Sequence, residues 1–334
     1  MATLADIMTK VRRITRSPST SQISDDDLKQ YINDFLLYDF PEQLRLFALR
    51  TTMSFYTTPY VDVYDTNTTL NTDPLYDFKN VQISVHDPIY IAGRKAYFTQ
   101  SRNDFYNIYP PVMAKTQIGT GDGATTAYAD TLTNVPVLQN NVIFTSYDAD
   151  YEAVVVKDVP RLDGVTGVPT MTGDLVVPDN TTSMGTINYA TGVYTFDFSA
   201  APADGAEVYA QYIQYSAGMP TSVLYYDNKF ILRPVPDMAY KVEIETYKRP
   251  ETLVNDTDKP ILEQHFSYIA FGCAARIFSD RMDMESLNMI QPLLDEQRLL
   301  CQRRTLVQQS NERTSTIYTQ QVDPNSGWGW DNYR

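Results

Sequence analysis
Apolar positions recur at helical spacing at both ends of the chain. Leu4, Ile7, Met8, Val11 and Ile14 share one stripe of residues 3–15, Lys10, Arg12, Arg13 and Arg16 lie opposite, and Thr3 and Asp6 stand as a capping pair. The pattern predicts an amphipathic helix with a basic back. A second helix is expected from Ser24, whose three following aspartates suit the positive end of a helix dipole; it carries Leu28, Ile32, Phe35 and Leu36 and ends at Pro41. Toward the C-terminus, Leu262, Phe266, Ile269, Cys273 and Ile277 mark a helix over residues 260–279, with Phe266 in its core. Leu287, Ile290, Leu294 and Cys301 mark a last helix, kinked at Pro292.

The middle reads differently. Residues 60–92 are rich in Tyr, Thr, Asn and Asp and read as a surface connection, and residues 93–111 as one short helix stopped by Pro110 and Pro111. From Gly119 to Gly218 short β runs alternate with turn signals: NNVIFTSY, YEAVVVKDV, GDLVVP, MGTINYA, GVYTFDF and AEVYAQYIQYS. After them, SVLYYDNKFILRP reads as a hairpin turning at Asp227-Asn228, and MAYKVEIETYKRP adds a strand. The expected fold class is therefore α+β: a helical-bundle body with a small antiparallel sheet and an inserted all-β, sandwich-like domain. Residues 1–118 and 219–308 are assigned to the body, 119–218 to the insertion and 309–334 to an extended arm. In that arm Ile317, Tyr318, Trp328 and Trp330 are the candidate partner-binding residues, because large apolar side chains in a polar segment suit docking in grooves.

Charge narrows the functional classes. The 334 residues carry a formal net charge of -14, which disfavours a protein that coats nucleic acid, since phosphate binding rests on clustered Lys and Arg. Residues 121–210 hold twelve Asp and Glu against Lys157 and Arg161, a net charge of -10. The basic stripe of the first helix is read as a solvated or inter-subunit ion-pair face. The longest apolar run, around SYIAFGCAA, is too short to span a membrane. Cys273 and Cys301 fall in helical patterns and read as free thiols.

No constellation with a chemical task stands out. His86 and His265 have no ligand partner at metal-site spacing, and GTGDGATT lacks the GK[ST] ending of a phosphate loop and reads as a turn. Asp148-x-Asp150-x-Glu152 lacks the glycine and distal Glu of an EF-hand and reads as an acidic hairpin tip. No catalytic residue, cofactor site or metal site is assigned, and an enzyme is not expected.

The sequence resembles the head-to-tail adaptor (connector) proteins of tailed bacteriophages. VRRITRSPSTSQISDDDLKQYINDFLLYDFPEQLRL looks like that family's N-terminal helix pair, YYDNKFILRPVPDMAYKVEIETYKRP like its strand pair, and RRTLVQQSNERTSTIYT like its C-terminal end. GDGATTAYADTLTNVPV with INYATGVYTFDFSAAPADGAEVYAQY resembles a small β domain of phage virion proteins. The resemblance implies a homo-oligomeric ring, a dodecamer, at the head-tail interface of the virion, made in the host cytoplasm. It implies the portal protein and tail tube or nozzle proteins as partners, with DNA passing through without specific binding and no membrane involved. Two rivals remain open: another tail, collar or fibre-docking virion protein, and a carbohydrate-binding module using the aromatics of GVYTFDF and AEVYAQYIQY.

Overall fold
The computed structural model describes residues 3–44, 47–67, 75–178, 182–261 and 263–310. The chain opens with helices α1 (Leu4–Ile14), α2 (Asp25–Asp34) and α3 (Phe40–Gln43), then strands β1 (Arg50–Tyr56) and β2 (Val63–Asp65). Next come α4 (Phe78–Val81), β3 (Gln82–Ile91), β4 (Arg94–Thr99) and α5 (Arg102–Ile108). Eight strands follow: β5 (Val112–Thr120), β6 (Ala127–Thr131), β7 (Ile143–Tyr147), β8 (Ala153–Leu162), β9 (Pro169–Val176), β10 (Ser183–Asn188), β11 (Val193–Asp197) and β12 (Glu207–Gln214). The chain closes with β13 (Ser222–Tyr226), β14 (Lys229–Arg233), β15 (Lys241–Lys248), α6 (Phe266–Asp280) and α7 (Met284–Ser310). The described residues up to Arg50 and from Arg249 to Ser310 form one compact unit, and those of Thr51–Lys248 form another.

The expected helical-bundle body with a small sheet is overturned. The protein is mostly β, with fifteen strands in a seven-stranded and an eight-stranded sheet among the described residues. The segment 60–92, expected as a surface connection, contains β2, α4 and the ten-residue β3. Pro88 lies inside β3, and proline within an apolar run argues against a strand. The ladder accommodates it by a register shift: Ile244 pairs with Ile89, and the next residue, Glu245, pairs with His86. Residues 93–111 hold β4 as well as the short α5.

In the helical unit, Leu4, Ile7, Met8 and Val11 are buried, and α1 packs on α6. Thr3 and Asp6 form the reciprocal cap, with Thr3 N–H donating to Asp6 Oδ2 at 2.9 Å. The helix after α2 does not stop at Pro41. A π-helical turn, Phe35–Asp39, widens the backbone ahead of the proline, and Phe40 N–H donates to the Phe35 carbonyl. That turn brings Phe35 and Phe40 edge to face at 6.2 Å, and both rings pack on Tyr268 of α6. Gly272 permits the close approach, because a Cβ there would lie 2.1 Å from the Phe35 ring. Phe266, expected in the core, is only half-buried; Lys10 sits over its ring at 4.7 Å and donates to Ser267 Oγ.

In the β unit, the seven-stranded sheet has the order β1-β15-β3-β4-β13-β14-β2. Its apolar face, including Phe55, Ile89, Ile91, Val223, Phe230 and Ile244, is buried. The β13–β14 hairpin turns at Asp227 and Asn228, with φ of 51° and 55°, which a primed two-residue turn requires. The chain leaves this sheet after β4 and returns at β13, parallel to β4, and the excursion builds the whole eight-stranded sheet. That sheet runs β5-β12-β7-β8-β9-β10-β11-β6 as one antiparallel ladder, so it is not the sandwich the alternation suggested. It curls on itself: a Cβ at Gly119 on the β5 edge would lie 3.2 Å from the Tyr128 ring on the β6 edge. Phe144, Tyr194, Phe196, Val208 and Tyr212 fill the enclosed core.

Candidate functional site
The candidate arm residues Ile317, Tyr318, Trp328 and Trp330 lie outside the described residues. Of the basic stripe, Lys10 and Arg12 are engaged within their own unit. Arg12 Nη2 pairs with Asp25 at 2.6 Å and donates to the Ile23 carbonyl, while Arg13 and Arg16 remain exposed. The stripe is therefore half structural.

The turns singled out in the sequence close on themselves. Asp122 of GTGDGATT accepts from the backbone N–H of Ala124 and Thr125 and from the Thr125 hydroxyl, and these bonds hold its carboxyl at about 2. Asp148 accepts from the N–H groups of Asp150 and Glu152 at the β7–β8 turn. Among the described residues no group of three His, Cys, Asp or Glu side chains is placed to hold a metal ion. Burial raises the thiol of Cys273 far above its ordinary value and that of Cys301 to about 11. Burial, aided by the charge of Arg304, lowers His265 to about 4. Neither thiol is an activated nucleophile. No described helix is long and apolar enough to cross a membrane.

Two features are left with unused capacity. The first is α7. Its inner stripe, Leu287, Ile290, Leu294 and Cys301, faces its own unit, with Ile290 packed beside Ala274 and Phe278 of α6. A second stripe one-third of a turn away, Met289, Leu293 and Leu300, is exposed, Met289 to 70%.

The second feature is a cavity of about 940 Å³ between the two sheets of the β unit. Asp62, just before β2, and Arg233, at the end of β14, meet at 2.6 Å on its wall and are 3% and 9% exposed. Arg233 Nη1 also donates to the Leu232 carbonyl. Gln139 in the β6–β7 loop is fixed by its Nε2, which donates to the Thr170 carbonyl at 2.9 Å and to that of Tyr60 at 3.4 Å. Tyr215, beyond β12, is tied to the same loop through its N–H and the Pro136 carbonyl, and its buried hydroxyl has no partner. Burial pushes its pKa upward, with Asp62 adding to the effect, so the hydroxyl stays protonated. Tyr106 and Tyr109 of the α5 region and Pro110 form apolar wall, with the Arg102 guanidinium 5.6 Å from the Tyr106 ring.

Asp62, Gln139 and Arg233 were not singled out from the sequence, whereas Tyr215 closes the run AEVYAQYIQY that suggested a stacking face. Asp62 and Arg233 are far apart along the chain and meet only through strand pairing. The available signal was a charge inside each of two apolar runs, YVDVY and FILRPV. The aromatics of GVYTFDF and AEVYAQYIQY that suggested stacking faces are largely core: Tyr194, Phe196, Phe198 and Tyr212 are buried. No protein-family model matches the chain, and no curated protein matches it.

Proposed function
We propose that the protein is a non-enzymatic structural component of a tailed-bacteriophage virion: a head-to-tail adaptor whose copies form a ring between portal and tail and continue the DNA channel. The observation that carries this reading is the exposed apolar stripe of α7, Met289, Leu293 and Leu300. A second copy of the chain is the occupant that best accounts for it. Ring assembly uses heterologous contacts that close by rotation, and a helix with an inner and an outer apolar face suits side-by-side packing. The resemblance of the N-terminal helix pair and the β13–β15 region to the connector family supplies the specific role. The charge of -14 agrees with a channel that does not retain passing phosphates.

The test is native mass measurement of the purified full-length chain, followed by electron microscopy of the particles viewed end on. A closed ring, dodecameric by the resemblance, with an open axial channel is expected. A monomer or a trimeric fibre at micromolar concentration sinks the reading.

A further inference from the structure
We propose that the cavity between the two sheets of the β unit is a binding site for a neutral saccharide. This stands on the cavity alone and does not depend on the adaptor reading. Arg233 spends only Nη1, on Asp62 and the Leu232 carbonyl, which leaves Nε and Nη2 without a hydrogen bond. Asp62 uses Oδ2 and keeps Oδ1, Gln139 uses Nε2 and keeps Oε1, and the buried Tyr215 hydroxyl has no partner at all. Of these groups the Tyr215 hydroxyl is the buried one left without a partner, and buried polar groups are ordinarily satisfied; beside it the unspent donors and acceptors of Arg233, Asp62 and Gln139 line the same cavity, an arrangement that fits a ligand.

The chemistry selects the class. The unused groups are donors and acceptors side by side on rigid planar side chains, which matches the paired hydroxyls of a sugar, each able to give and accept. Asp62 already neutralises Arg233, and the spare oxygens of Asp62 and Gln139 would face an anion with like partial charge, so phosphate or sulfate is a poor match. A wholly apolar ligand would leave the same groups dry. Tyr106, Tyr109 and Pro110 give the C–H face of a sugar ring a surface to lie on, and the volume is within the range of small-molecule sites.

The experiment titrates the full-length protein with maltotriose, cellotriose and tri-N-acetylchitotriose by calorimetry, with sodium sulfate as the anionic probe. At least one trisaccharide is expected to bind, and Tyr215→Phe to weaken it about tenfold without lowering the melting temperature, because the hydroxyl it removes has no partner in the fold. Tyr106→Ala, at a half-buried ring, is a second variant and is expected to weaken binding while the β unit stays folded. The proposal is overturned if no trisaccharide binds, if sulfate alone binds, or if binding is unchanged in both variants.

Discussion
At the residue scale, Asp158 has the most demanding position in the curled sheet. It is 5% exposed and accepts from Asn140 N–H, Val142 N–H and the Tyr189 hydroxyl at 2.6, 2.8 and 2.9 Å. Burial raises its pKa while the three bonds oppose that rise. Asp158→Ala leaves three donors without an acceptor and is expected to cost ~3–5 kcal/mol, whereas Tyr189→Phe, which removes one donor, costs ~1 kcal/mol. Calorimetric unfolding measures both; equal losses would show that the carboxylate does not organise the loop. His265 makes a pH prediction for the helical unit. It is 3% exposed, packs 6.0 Å from the Phe40 ring and is held at about 4 by burial and by Arg304, against an ordinary 6.5. Between those two values the unfolded chain binds a proton that the folded one refuses. Stability is therefore full above pH 6.5 and falls as pH falls toward 4. Urea unfolding followed by circular dichroism should show a drop from pH 7 to pH 5 that is about 2 kcal/mol smaller in His265→Leu than in the parent. The carboxylates of Asp258 and Asp283, lowered by hydrogen bonds, lose their share mainly at lower pH. An identical drop in both proteins would show that the histidine is not protected from protons.

At the scale of elements, α7 allows packing within the chain to be tested separately from the proposed packing between copies. Ile290 is 5% exposed, so Ile290→Ala should destabilise the helical unit by ~2–5 kcal/mol. Met289→Glu with Leu293→Glu alters only exposed positions and should change stability by no more than ~0.5 kcal/mol while converting the assembly to monomer. Sedimentation velocity reads the second effect; an intact assembly in the double variant would exclude this face from the contact. The contrast between α7 and β3 also shows what the sequence made legible. Helices α1, α2, α6 and α7 announce themselves because every third or fourth residue is apolar, and α1 and α2 also carry local caps, Thr3 with Asp6 and Ser24 with Asp27. The strands from β7 to β12 announce themselves by alternation. β3 hides because Pro88 interrupts it and its acceptance depends on a shifted ladder with β15, which lies more than 150 residues further along. The closing of the eight-stranded sheet and the cavity hide for the same reason: Gly119 meets Tyr128, and Asp62 meets Arg233, only after distant strands have paired. Local pattern specifies elements, whereas sheet order and cavities arise from partners that no window contains.

At the scale of the whole molecule, the proposed assembly would have to overcome like-charge repulsion. Each chain carries -14, most of it within residues 121–210, at a net -10. If copies join through the exposed apolar stripe of α7, the attraction is apolar and nearly indifferent to salt, while the repulsion between copies is long-ranged and strongly screened. The screening length is about 30 Å at 0.01 M salt and about 10 Å at 0.1 M, so the repulsion felt across neighbouring subunits falls steeply over that interval. The expected outcome is an assembly that loosens into smaller species near ~0.01 M sodium chloride and is restored near ~0.3 M, as read by mass photometry at fixed protein concentration. The inverse behaviour, rings that fall apart as salt rises, would mean that exposed cations such as Arg13 and Arg16 pair with acids on a neighbour and that ion pairs, not the α7 stripe, hold the copies together. Salt dependence thus distinguishes the two modes of association that the surface of a single chain offers.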